Sequence, residues 1–350
     1  MRVAFIGSAG VPNRYGGFES FLENCGPVIA EQIQCGSVTI TCDGAMYSDK
    51  SVKYKNLYRI FLPLRANGSI SIFHDLLAFL LVFNSSTHIV VLGISGGPWF
   101  PLWRILCDLF GKRLLVNIDG VEWRRAKFGG IKRFILKCFD RSAQIFSHGV
   151  IYDNTALRQF IHPFAIYKSS MIPYSGDHVL RKKGNHIKPG TALTICRIEP
   201  ENNIDMLIEG ALASSILHYK IVGNWNSSDY GRSLRSKYRD EKRLYLIDSI
   251  YDQNILCELR ESCEFYIHGH SVGGTNPSLV EILFYECQIL CLDVSYNRAT
   301  AGECATYFSD PTSLSLAISQ ARYSLQSRNE IRAKYMSASI ARSYIHAMHK

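Results

Sequence analysis

The sequence lacks the marks of several large classes of protein. Its 11 cysteines are scattered, without CxxC pairs or the His/Cys spacing of a zinc site. The GxGxxG fingerprint of a dinucleotide-binding site is absent, as are RNA- and DNA-binding motifs. His268 and His270 stand at alternate positions without further ligands, which is more typical of structural histidines than of a metal site. These absences argue against a dehydrogenase, a metalloprotein and a nucleic-acid-binding protein.

Long apolar runs are also missing. The run from Leu76 to Phe83 contains eight residues, whereas about 20 are needed to span a bilayer. No secretory signal is recognisable before the first predicted strand, so we expect reduced thiols and a cytoplasmic protein. Peripheral attachment to the inner face of the plasma membrane is the strongest membrane association that the sequence supports.

What is present is the composition of a packed globular protein. The chain has 350 residues, 47% of them hydrophobic and 20% charged, which is enough for two ordinary domains. The net charge of +9 is uneven, since residues 121–141 contain seven basic and two acidic residues. Apolar residues recur among them at helical spacing. This pattern predicts a helix that either packs on its own domain or contacts an anionic membrane surface or a lipid pyrophosphate.

Short apolar runs alternate with helix-like stretches, which predicts parallel βαβ units and an α/β fold. The clearest predicted helices are residues 18–32, 100–109, 206–213 and 279–285. The first series of predicted strands is Val3–Ile6, Val38–Thr41, Ile89–Leu92, Leu114–Asn117 and Ile145–Ser147. The second series is Leu193–Cys196, Tyr219–Val222, Leu244–Ile247, Phe265–His268 and Ile289–Asp293. Two series of this kind predict two Rossmann-like domains that face a cleft.

The segment between the two series has the composition of a linker. It contains Ile172 to His178 and then a polar stretch to Gly190. We therefore assign residues 1–175 to a first domain, residues 176–330 to a second and residues 331–350 to a C-terminal helix.

The segment from His268 to Asn297 carries the strongest functional signal. Its first half is rich in turn-forming residues and leads into a helix-like stretch, Ser278 to Tyr285, that contains Glu281. A loop that opens a helix offers N–H groups to phosphates, and the nearby carboxylate suits ribose hydroxyls. We therefore predict a nucleotide site here; a tight connection without a ligand is the alternative.

This segment resembles the donor-site region of GT-B glycosyltransferases of family 4. The run HGHSVGGTNPSLVE is similar to a subgroup that includes rhamnosyltransferases of bacterial polysaccharide assembly, with an N-terminal domain of the DUF1972 type. The resemblance implies that Glu281 holds the ribose and that Gly274, Thr275 and Asn276 belong to the donor site. A second family glutamate, eight positions earlier, is replaced by Gly273. The resemblance also implies a C-terminal helix that crosses back to the first domain.

The loop after the first strand is a second candidate for phosphate contact. It contains four glycines and Arg14, so it offers N–H groups and a cation. The resemblance implies that Gly16 and Gly17 meet the donor diphosphate. Glu19 is ambiguous, because a carboxylate there also favours the N-terminus of a helix.

Arg197 follows the first strand of the second domain. The resemblance implies that it contacts the donor pyrophosphate, together with a lysine five positions later. This chain has Asn202 at that place, so the charge of the leaving group must rest mainly on Arg197 and helix N-termini. A surface ion pair of Arg197 with Glu199 or Glu201 is the alternative. We further expect a lysine to be tolerated in place of Asn202.

Two carboxylates, Asp119 and Glu122, follow a predicted strand of the first domain, at the sheet edge where α/β proteins place chemistry. Trp123, which directly follows Glu122, offers an apolar face to a sugar ring. The resemblance, here to a DGxEWxR run ending at Arg125, implies that Asp119 lies near the reacting carbon. We predict catalytic roles for Asp119 first and Glu122 second, with capping as the alternative for Asp119.

The resemblance thus implies a hexosyltransferase of bacterial surface polysaccharide synthesis (O-antigen, capsule or exopolysaccharide). It implies a dTDP- or UDP-sugar as donor, with rhamnose as the leading sugar, and a lipid-linked saccharide as acceptor. Retention at the anomeric centre, no metal and no separate cofactor are expected. The alternatives are a nucleotide-sugar epimerase of the same fold and a non-catalytic protein of polysaccharide assembly.

Overall fold

The computed structural model describes residues 1–350 except 15, 34, 125–127, 181–186 and 321–324. The chain divides into two compact units. Unit 1 comprises Met1–Ser175 and Met336–Lys350, and unit 2 comprises Gly176–Tyr335. Each unit is built around its own β-sheet with interleaved helices, so the α/β prediction is confirmed.

Unit 1 contains eight strands: β1 (Arg2–Ile6), β2 (Ser37–Asp43), β3 (Lys53–Tyr54), β4 (Leu57–Leu62), β5 (His88–Leu92), β6 (Arg113–Asn117), β7 (Gly149–Tyr152) and β8 (Ser169–Met171). They lie in the order β3-β4-β2-β1-β5-β6-β7-β8, and the pairing is parallel apart from the short hairpin β3–β4. The central strands are runs of Val, Ile, Leu and Phe that are buried on both faces, as parallel strands covered by two helical layers must be.

The helices that connect these strands are α1 (Gly17–Gln32), α2 (Ser71–Phe83), α3 (Phe100–Leu109) and α4 (Gly130–Phe146). Because α1 connects β1 to β2 on one side of the sheet order while α2, α3 and α4 lead the opposite way, right-handed crossovers place them on opposite faces. The core on the α1 face contains Phe5 of β1 together with Phe21 and Leu22 of α1.

Unit 2 contains six strands: β9 (Lys188–Ile195), β10 (His218–Gly223), β11 (Leu244–Asp248), β12 (Cys263–His268), β13 (Gln288–Leu292) and β14 (Ala305–Phe308). Their order is β11-β10-β9-β12-β13-β14, with parallel pairing. The helices are α5 (Ile204–Leu212), α6 (Asp229–Lys237), α7 (Gln253–Ser262), α8 (Pro277–Ile282), α9 (Ser295–Ala301), α10 (Pro311–Gln320) and α11 (Leu325–Lys334). Two apolar cores occupy the two faces of this sheet.

The last helix, α12 (Ser337–His349), belongs to unit 1, as the resemblance implies for the C-terminal helix. It packs against α1, where the rings of Tyr344 and Phe21 stack with centroids 4.5 Å apart. No helix in the described part of the chain combines the length and apolar character that a membrane crossing requires.

The structure differs from the predicted elements in two respects. The predicted strand Ile145–Ser147 is wrong, because Ile145 and Phe146 end α4 and the strand begins only at Gly149. Periodicity does not mark this break, since apolar residues continue on both sides of it. Strands β3, β4, β8 and β14 were not predicted: β3 and β8 contain only two and three residues, and Arg59 and Thr306 interrupt the apolar residues of β4 and β14.

Both sheets contain one point at which the direction of winding reverses. In unit 1 the chain proceeds from β1 to β2 and β4, then returns to β5 on the other side of β1. In unit 2 it proceeds from β9 to β10 and β11, then returns to β12 on the other side of β9. Open α/β sheets bind ligands beyond the carboxyl ends of the strands at such points. The loops after β1, β9 and β12 therefore occupy the two positions where ligand sites are expected.

Candidate functional site

In unit 2, two loops meet at the switch point. The β9 loop (residues 196–203) and the β12 loop (residues 269–276) follow neighbouring strands. Asn203 Nδ2 donates a hydrogen bond to the Gly269 carbonyl at 2.8 Å. The backbone N–H and the hydroxyl of Ser271 both donate to the Glu201 carbonyl at 2.9 Å. The structure therefore brings together the two segments of unit 2 that the sequence assigns to the donor.

Arg197 and Asn202 play different parts in the β9 loop. The Arg197 side chain is about half exposed, and its guanidinium lies 3.9 Å from the Glu199 carboxylate, at the outer limit of an ion pair. Asn202 is buried, its Nδ2 donates to the Arg197 carbonyl at 2.8 Å, and its Oδ1 lies 2.9 Å from His270 Nδ1. Asn202 thus bridges the two loops. A lysine would lack the Oδ1 acceptor of this bridge, and the expected tolerance of lysine at this position stays a prediction.

The backbone at Gly273 explains why this chain departs from the family pattern there. Gly273 has φ +122°, a conformation that residues with a side chain rarely adopt. A Cβ atom at this position would also lie 3.3 Å from His270 Nε2. A glutamate at this place would require a different path of the β12 loop.

Glu281, on α8 directly after the β12 loop, is held by two cationic or polar partners. Its Oε2 accepts a short hydrogen bond from Nη2 of the buried Arg260, and its Oε1 lies 3.4 Å from His178 Nε2. The Glu281 side chain is 16% exposed, so it reaches the surface only in part. Within the described residues, Arg260 Nε and His178 Nδ1 are buried without a hydrogen-bond partner.

The charge state of Glu281 follows from this arrangement. Burial alone would raise the pKa of the Glu281 carboxyl, but the Arg260 guanidinium and the His178 hydrogen bond outweigh it and hold the pKa below its usual range. In turn, burial lowers the pKa of the Arg260 guanidinium, but the Glu281 carboxylate, together with Tyr285 and Tyr266, outweighs burial and raises that pKa. Unit 2 therefore carries an ionised, oriented carboxylate next to its two joined loops.

The remaining donor candidates lie at the start of α8. Asn276 caps this helix, with Oδ1 accepting from the Ser278 N–H at 3.0 Å and from its hydroxyl at 2.8 Å. Thr275 is buried and Gly274 is half-buried. The helix ends at Ile282 rather than at the predicted Tyr285, so Glu281 lies in its last turn.

In unit 1, the β1 loop (residues 7–16, of which 15 is not described) lies at the other switch point. The backbone of this loop requires glycine at Gly7 and Gly10, because φ is +90° and +102° at these positions. A Cβ atom on Gly7 would lie 2.6 Å from the Leu92 carbonyl at the end of β5. Gly16 and Gly17, the predicted diphosphate contacts, begin α1 in extended and helical backbone that other residues also adopt. The loop is therefore pressed against the sheet edge at points that the sequence did not distinguish.

Two glutamates one turn apart on α1 hold the β1 loop. Glu19 is buried and accepts from the Ala9 N–H at 2.7 Å, while Glu23 accepts from the Asn13 N–H at 2.8 Å. Burial raises the pKa of Glu19, three backbone N–H groups oppose this rise, and the Asp119 carboxylate adds to it. Arg14 instead donates to the Met46 carbonyl at 2.8 Å. Glu19, which the sequence left ambiguous, is thus a clamp on the loop.

Asp119 follows β6 and is fixed by a chain of hydrogen bonds. Its backbone has φ +54°, its N–H donates to Asn117 Oδ1 at 3.0 Å, and its carboxylate accepts from the Tyr174 hydroxyl at 3.1 Å. Asn117 Nδ2 donates to the Tyr344 hydroxyl of α12 at 2.7 Å. Burial, and then the Asp119 charge, raise the pKa of Tyr174 far above its usual range, so the tyrosine stays a hydrogen-bond donor.

Glu122 and Trp123 lie in a short helical turn, Glu122–Arg124, after Asp119. Trp123 Nε1 donates to the buried Asp140 of α4 at 3.0 Å, and Lys137 lies 5.2 Å above the indole ring. The turn borders an open depression lined by two aromatic rings and three cations, namely Trp123, Arg124, Arg133, Phe134 and Lys137. Arg125, the last residue of the predicted motif, lies outside the described residues.

Several partners of the predicted site residues were not found by sequence reasoning. Arg260 lies on α7, 21 residues before Glu281, and His178 belongs to the segment interpreted as a linker. Tyr174 also belongs to that segment, whose first part, residues 172–179, is buried or half-buried. The one available signal is Arg260 itself, an arginine on the inner side of an otherwise ordinary amphipathic helix.

The chain belongs to a protein family defined by its N-terminal half. Residues 1–177 match the family described as "Domain of unknown function (DUF1972)", and this match covers just over half of the chain. No curated protein is similar enough to the sequence to count as a match.

Solved structures with the GT-B fold of glycosyltransferases match the chain from end to end. A sucrose-phosphate synthase from Thermosynechococcus elongatus has a TM-score of 0.79 at 14% identity, with 99% of this chain and 97% of that chain covered. HepE from Anabaena, in complex with UDP and glucose, has a TM-score of 0.70 at 12% identity and coverages of 100% and 99%. The catalytic domain of starch synthase IV from Arabidopsis thaliana, bound to ADP and acarbose, has 0.69 at 10% identity and the same coverages. The fold of this chain is therefore GT-B.

Proposed function

We propose that the protein is a glycosyltransferase that moves a hexose from a nucleotide diphosphate sugar to a saccharide acceptor. The observation that carries this proposal is the pair of hydrogen-bonded loops at the switch point of unit 2, with the ionised Glu281 beside them. Structures of similar fold that were solved with UDP and glucose, or with ADP and acarbose, support a nucleotide sugar as the donor class.

In this proposal unit 2 binds the donor. Glu281 accepts hydrogen bonds from the ribose hydroxyls through lone pairs that Arg260 and His178 leave available. The N–H groups of the β12 loop, from Gly274 to Asn276, contact the phosphates, and Arg197 balances their charge. Asn202 supports these contacts because it is hydrogen-bonded both to the backbone of Arg197 and to the side chain of His270. Gly16 and Gly17 of unit 1 complete the diphosphate contacts that the family resemblance implies.

The reaction breaks the bond between the anomeric carbon and the diphosphate oxygen and forms a bond to an acceptor hydroxyl, whose proton is released. We assign the acceptor side to unit 1, with Asp119 as the first candidate near the reacting carbon and Glu122 as the second. Tyr174 supports this assignment, because its hydroxyl orients the Asp119 carboxylate. We propose retention at the anomeric centre and no metal requirement, with the negative charge on the departing diphosphate met by Arg197 and backbone N–H groups.

The finer proposal is a family 4 rhamnosyltransferase that uses a dTDP-sugar or a UDP-sugar in bacterial surface polysaccharide synthesis. It rests on the run from His268 to Glu281 and its similarity to that subgroup. The acceptor is proposed to be lipid-linked. The depression beside Glu122, with its three cations and two aromatic rings, has the chemistry to bind a lipid pyrophosphate and the sugar attached to it.

A cytoplasmic position at the inner face of the plasma membrane is part of the same proposal. Its support is the first half of α4, where Ile131 and Phe134 are 82% and 68% exposed beside Lys132, Arg133 and Lys137. A helix packed on its own domain would bury these two apolar residues. An exposed apolar and cationic helix instead suits the surface of an anionic bilayer.

Direct binding of nucleotides tests the proposal. The purified protein is titrated with UDP, dTDP and their sugars by calorimetry, and one of these nucleotides is expected to bind with micromolar affinity. Glu281→Gln should weaken this binding by about 1–3 kcal/mol, because hydrogen bonds to a charged group contribute that much. Glu264→Gln, which replaces another partly buried glutamate of unit 2, is the matched control. Equal nucleotide affinity in wild type and a folded Glu281→Gln variant would remove Glu281 from the site.

Turnover separates the candidate activities. With a lipid-linked saccharide as acceptor, Arg197→Ala should reduce kcat strongly while the free energy of unfolding changes little, because the cation faces charge that develops in the transition state. Conversion of the donor sugar to its epimer without any acceptor would instead identify an epimerase. Nucleotide binding without either reaction would favour a non-catalytic role in polysaccharide assembly.

A further inference from the structure

The outer surface of one helical layer in unit 1 is apolar, and the proposed sugar transfer does not use it. Helices α2 and α3 cover the same face of the sheet and are neighbours, since the rings of Phe79 and Trp103 stack at 4.6 Å. Seven large apolar side chains on these helices, or directly after α3, are exposed to solvent. We call them the α2–α3 outer face: Phe73, Leu80, Leu81, Leu102, Ile105, Leu109 and Phe110.

On α3 this surface forms a regular stripe. Leu102, Ile105 and Leu109 recur at helical spacing and are 52%, 57% and 73% exposed. The opposite side of α3 is also apolar, since Trp103 and Cys107 are fully buried against the sheet. A helix that is apolar on both sides is normally covered on both sides.

The neighbouring helix α2 has the same character. Phe79 and Val82 are buried on its inner side, whereas Phe73 and Leu80 are exposed on its outer side. Throughout α2, all of whose residues are described, the ionisable side chains are buried, so no charge interrupts the outer surface. Monomeric soluble proteins rarely expose continuous apolar patches of this kind without a binding function.

Cations lie near one end of the apolar surface, on the first half of α4. The Ser142 hydroxyl of α4 donates to the carbonyl of Gly97, just before α3, at 2.7 Å, and Arg104 of α3 donates to the carbonyl of Ser147, just after α4, at 3.2 Å. The two helices therefore run side by side in the same direction, and the first half of α4 extends past the start of α3. The exposed residues of α4 include Lys132, Arg133 and Lys137. The combination of an apolar surface with cations near one end matches an anionic bilayer, whose head groups are negative and whose acyl region is apolar.

We propose that the α2–α3 outer face inserts into the acyl boundary of an anionic membrane, with the cations of α4 among the head groups. Both helices are too short to span a bilayer, so they lie in its interfacial plane. The vesicle experiments below distinguish this occupant from a second copy of the chain. The proposal extends the membrane position of the proposed function beyond α4, and it does not require sugar transfer.

Sedimentation with vesicles tests the insertion. The full chain is mixed with phosphatidylcholine vesicles that contain 30% phosphatidylglycerol, or none, over a range of salt concentrations. The triple variant Leu102→Gln/Ile105→Gln/Leu109→Gln should bind the anionic vesicles at least about tenfold more weakly at every salt concentration, because the apolar contribution is not screened. Lys132→Gln/Arg133→Gln/Lys137→Gln should weaken binding mainly at low salt and flatten its salt dependence.

The chain offers a matched control for the apolar variant. Leu217, Ile255 and Leu316 of unit 2 are 58%, 46% and 56% exposed, so their replacement by Gln removes comparable apolar surface elsewhere. The control should bind vesicles like the wild type. Wild-type binding by the α3 triple variant would overturn the proposal. The proposal would also be overturned if the wild-type protein formed a dimer without vesicles and the α3 triple variant were a monomer, because the face would then be a contact between two copies.

A spectroscopic readout is independent of how tightly each variant binds. A tryptophan placed by Ile105→Trp should shift its emission to shorter wavelength when anionic vesicles are added, whereas one placed by Leu316→Trp should not. No shift for Ile105→Trp under conditions where the protein sediments with the vesicles would show that this face stays in water. Failure of the sugar-transfer assays would leave these results unaffected.

Discussion

Each unit carries a glutamate on a helix that follows one of its switch-point strands, Glu19 after β1 and Glu281 after β12, and the surroundings affect the two charges in opposite ways. Glu19 of unit 1 lies beneath the β1 loop and, among the described residues, makes no ion pair; its partners are backbone N–H groups, and its pKa is raised. Glu281 of unit 2 lies beside the β12 loop with Arg260 and His178, and its pKa is lowered. One carboxylate is a loop clamp, and the other is an ionised, partly accessible group.

Under the proposed function, this difference separates a structural carboxylate from one that binds a ligand. A carboxylate that only accepts backbone N–H bonds can tolerate a proton, because neutral and charged forms both accept them. A carboxylate that accepts hydrogen bonds from the hydroxyl groups of a ligand accepts them best when it is charged. A neighbouring guanidinium keeps it charged. The groups that hold the loops also differ in charge between the units. The neutral side-chain amides of Asn202 and Asn203 join the two loops of unit 2, whereas carboxylates of α1 hold the loop of unit 1.

The largest effect is expected when the Arg260 guanidinium, the ion-pair partner of Glu281, is removed. Arg260→Met retains the volume of the buried side chain but removes its charge, and we expect the free energy of unfolding to fall by about 3–5 kcal/mol. Urea denaturation measures the loss, and hydrogen exchange should locate it in α7 and α8 rather than in unit 1. The double variant Arg260→Met/Glu281→Leu should recover most of the stability, because it removes the unpaired charge as well. Equal losses in the single and double variants would mean that Arg260 acts by packing alone.

A smaller effect is expected from charging the neutral bridge between the loops. Asn202→Lys loses the acceptor that Oδ1 offers to His270, and it places an ammonium in a buried position. We expect a loss of about 1–3 kcal/mol of stability and no gain in nucleotide affinity. Asn203→Lys is the matched neighbour, since Asn203 joins the same loops through a single side-chain contact with Gly269. Tighter diphosphate binding by a stable Asn202→Lys variant would restore the sequence-based expectation.

The fold could be predicted from the sequence because parallel strands are buried on both faces and therefore appear as continuous apolar runs, as in Val3–Ile6 and Ile289–Asp293. The proposed donor loops could be located because glycine-rich turns after strands are local signals. The partners of Glu281 and Asp119 could not, since Arg260 and Tyr174 reach them through chain reversals that no local pattern encodes. The left-handed backbone of Gly7, Gly10 and Gly273 likewise depends on contacts with distant strands and side chains.

The smallest effect, and the most direct test of the comparison, is the dependence of stability on pH. The folded pKa of Glu19 lies above its unfolded value of 4.5, so its stabilising contribution is present below pH 4.5 and is lost as the pH rises through the folded pKa. Glu281 has the opposite sign, because its folded pKa is lowered and its contribution, present above pH 4.5, is lost as the pH falls.

Glu19→Gln removes the titrating group but retains an oxygen for the Ala9 N–H, so the free energy of unfolding at pH 7 should change by no more than about 1 kcal/mol. Relative to wild type, this variant should gain stability as the pH rises above 4.5. Glu281→Gln should lose stability relative to wild type as the pH rises towards 4.5 from more acidic values, and the difference should then level off. Urea denaturation of the three proteins at each pH measures both differences. Parallel pH profiles of the two variants would show that the environments of Glu19 and Glu281 do not differ in the way their contacts indicate.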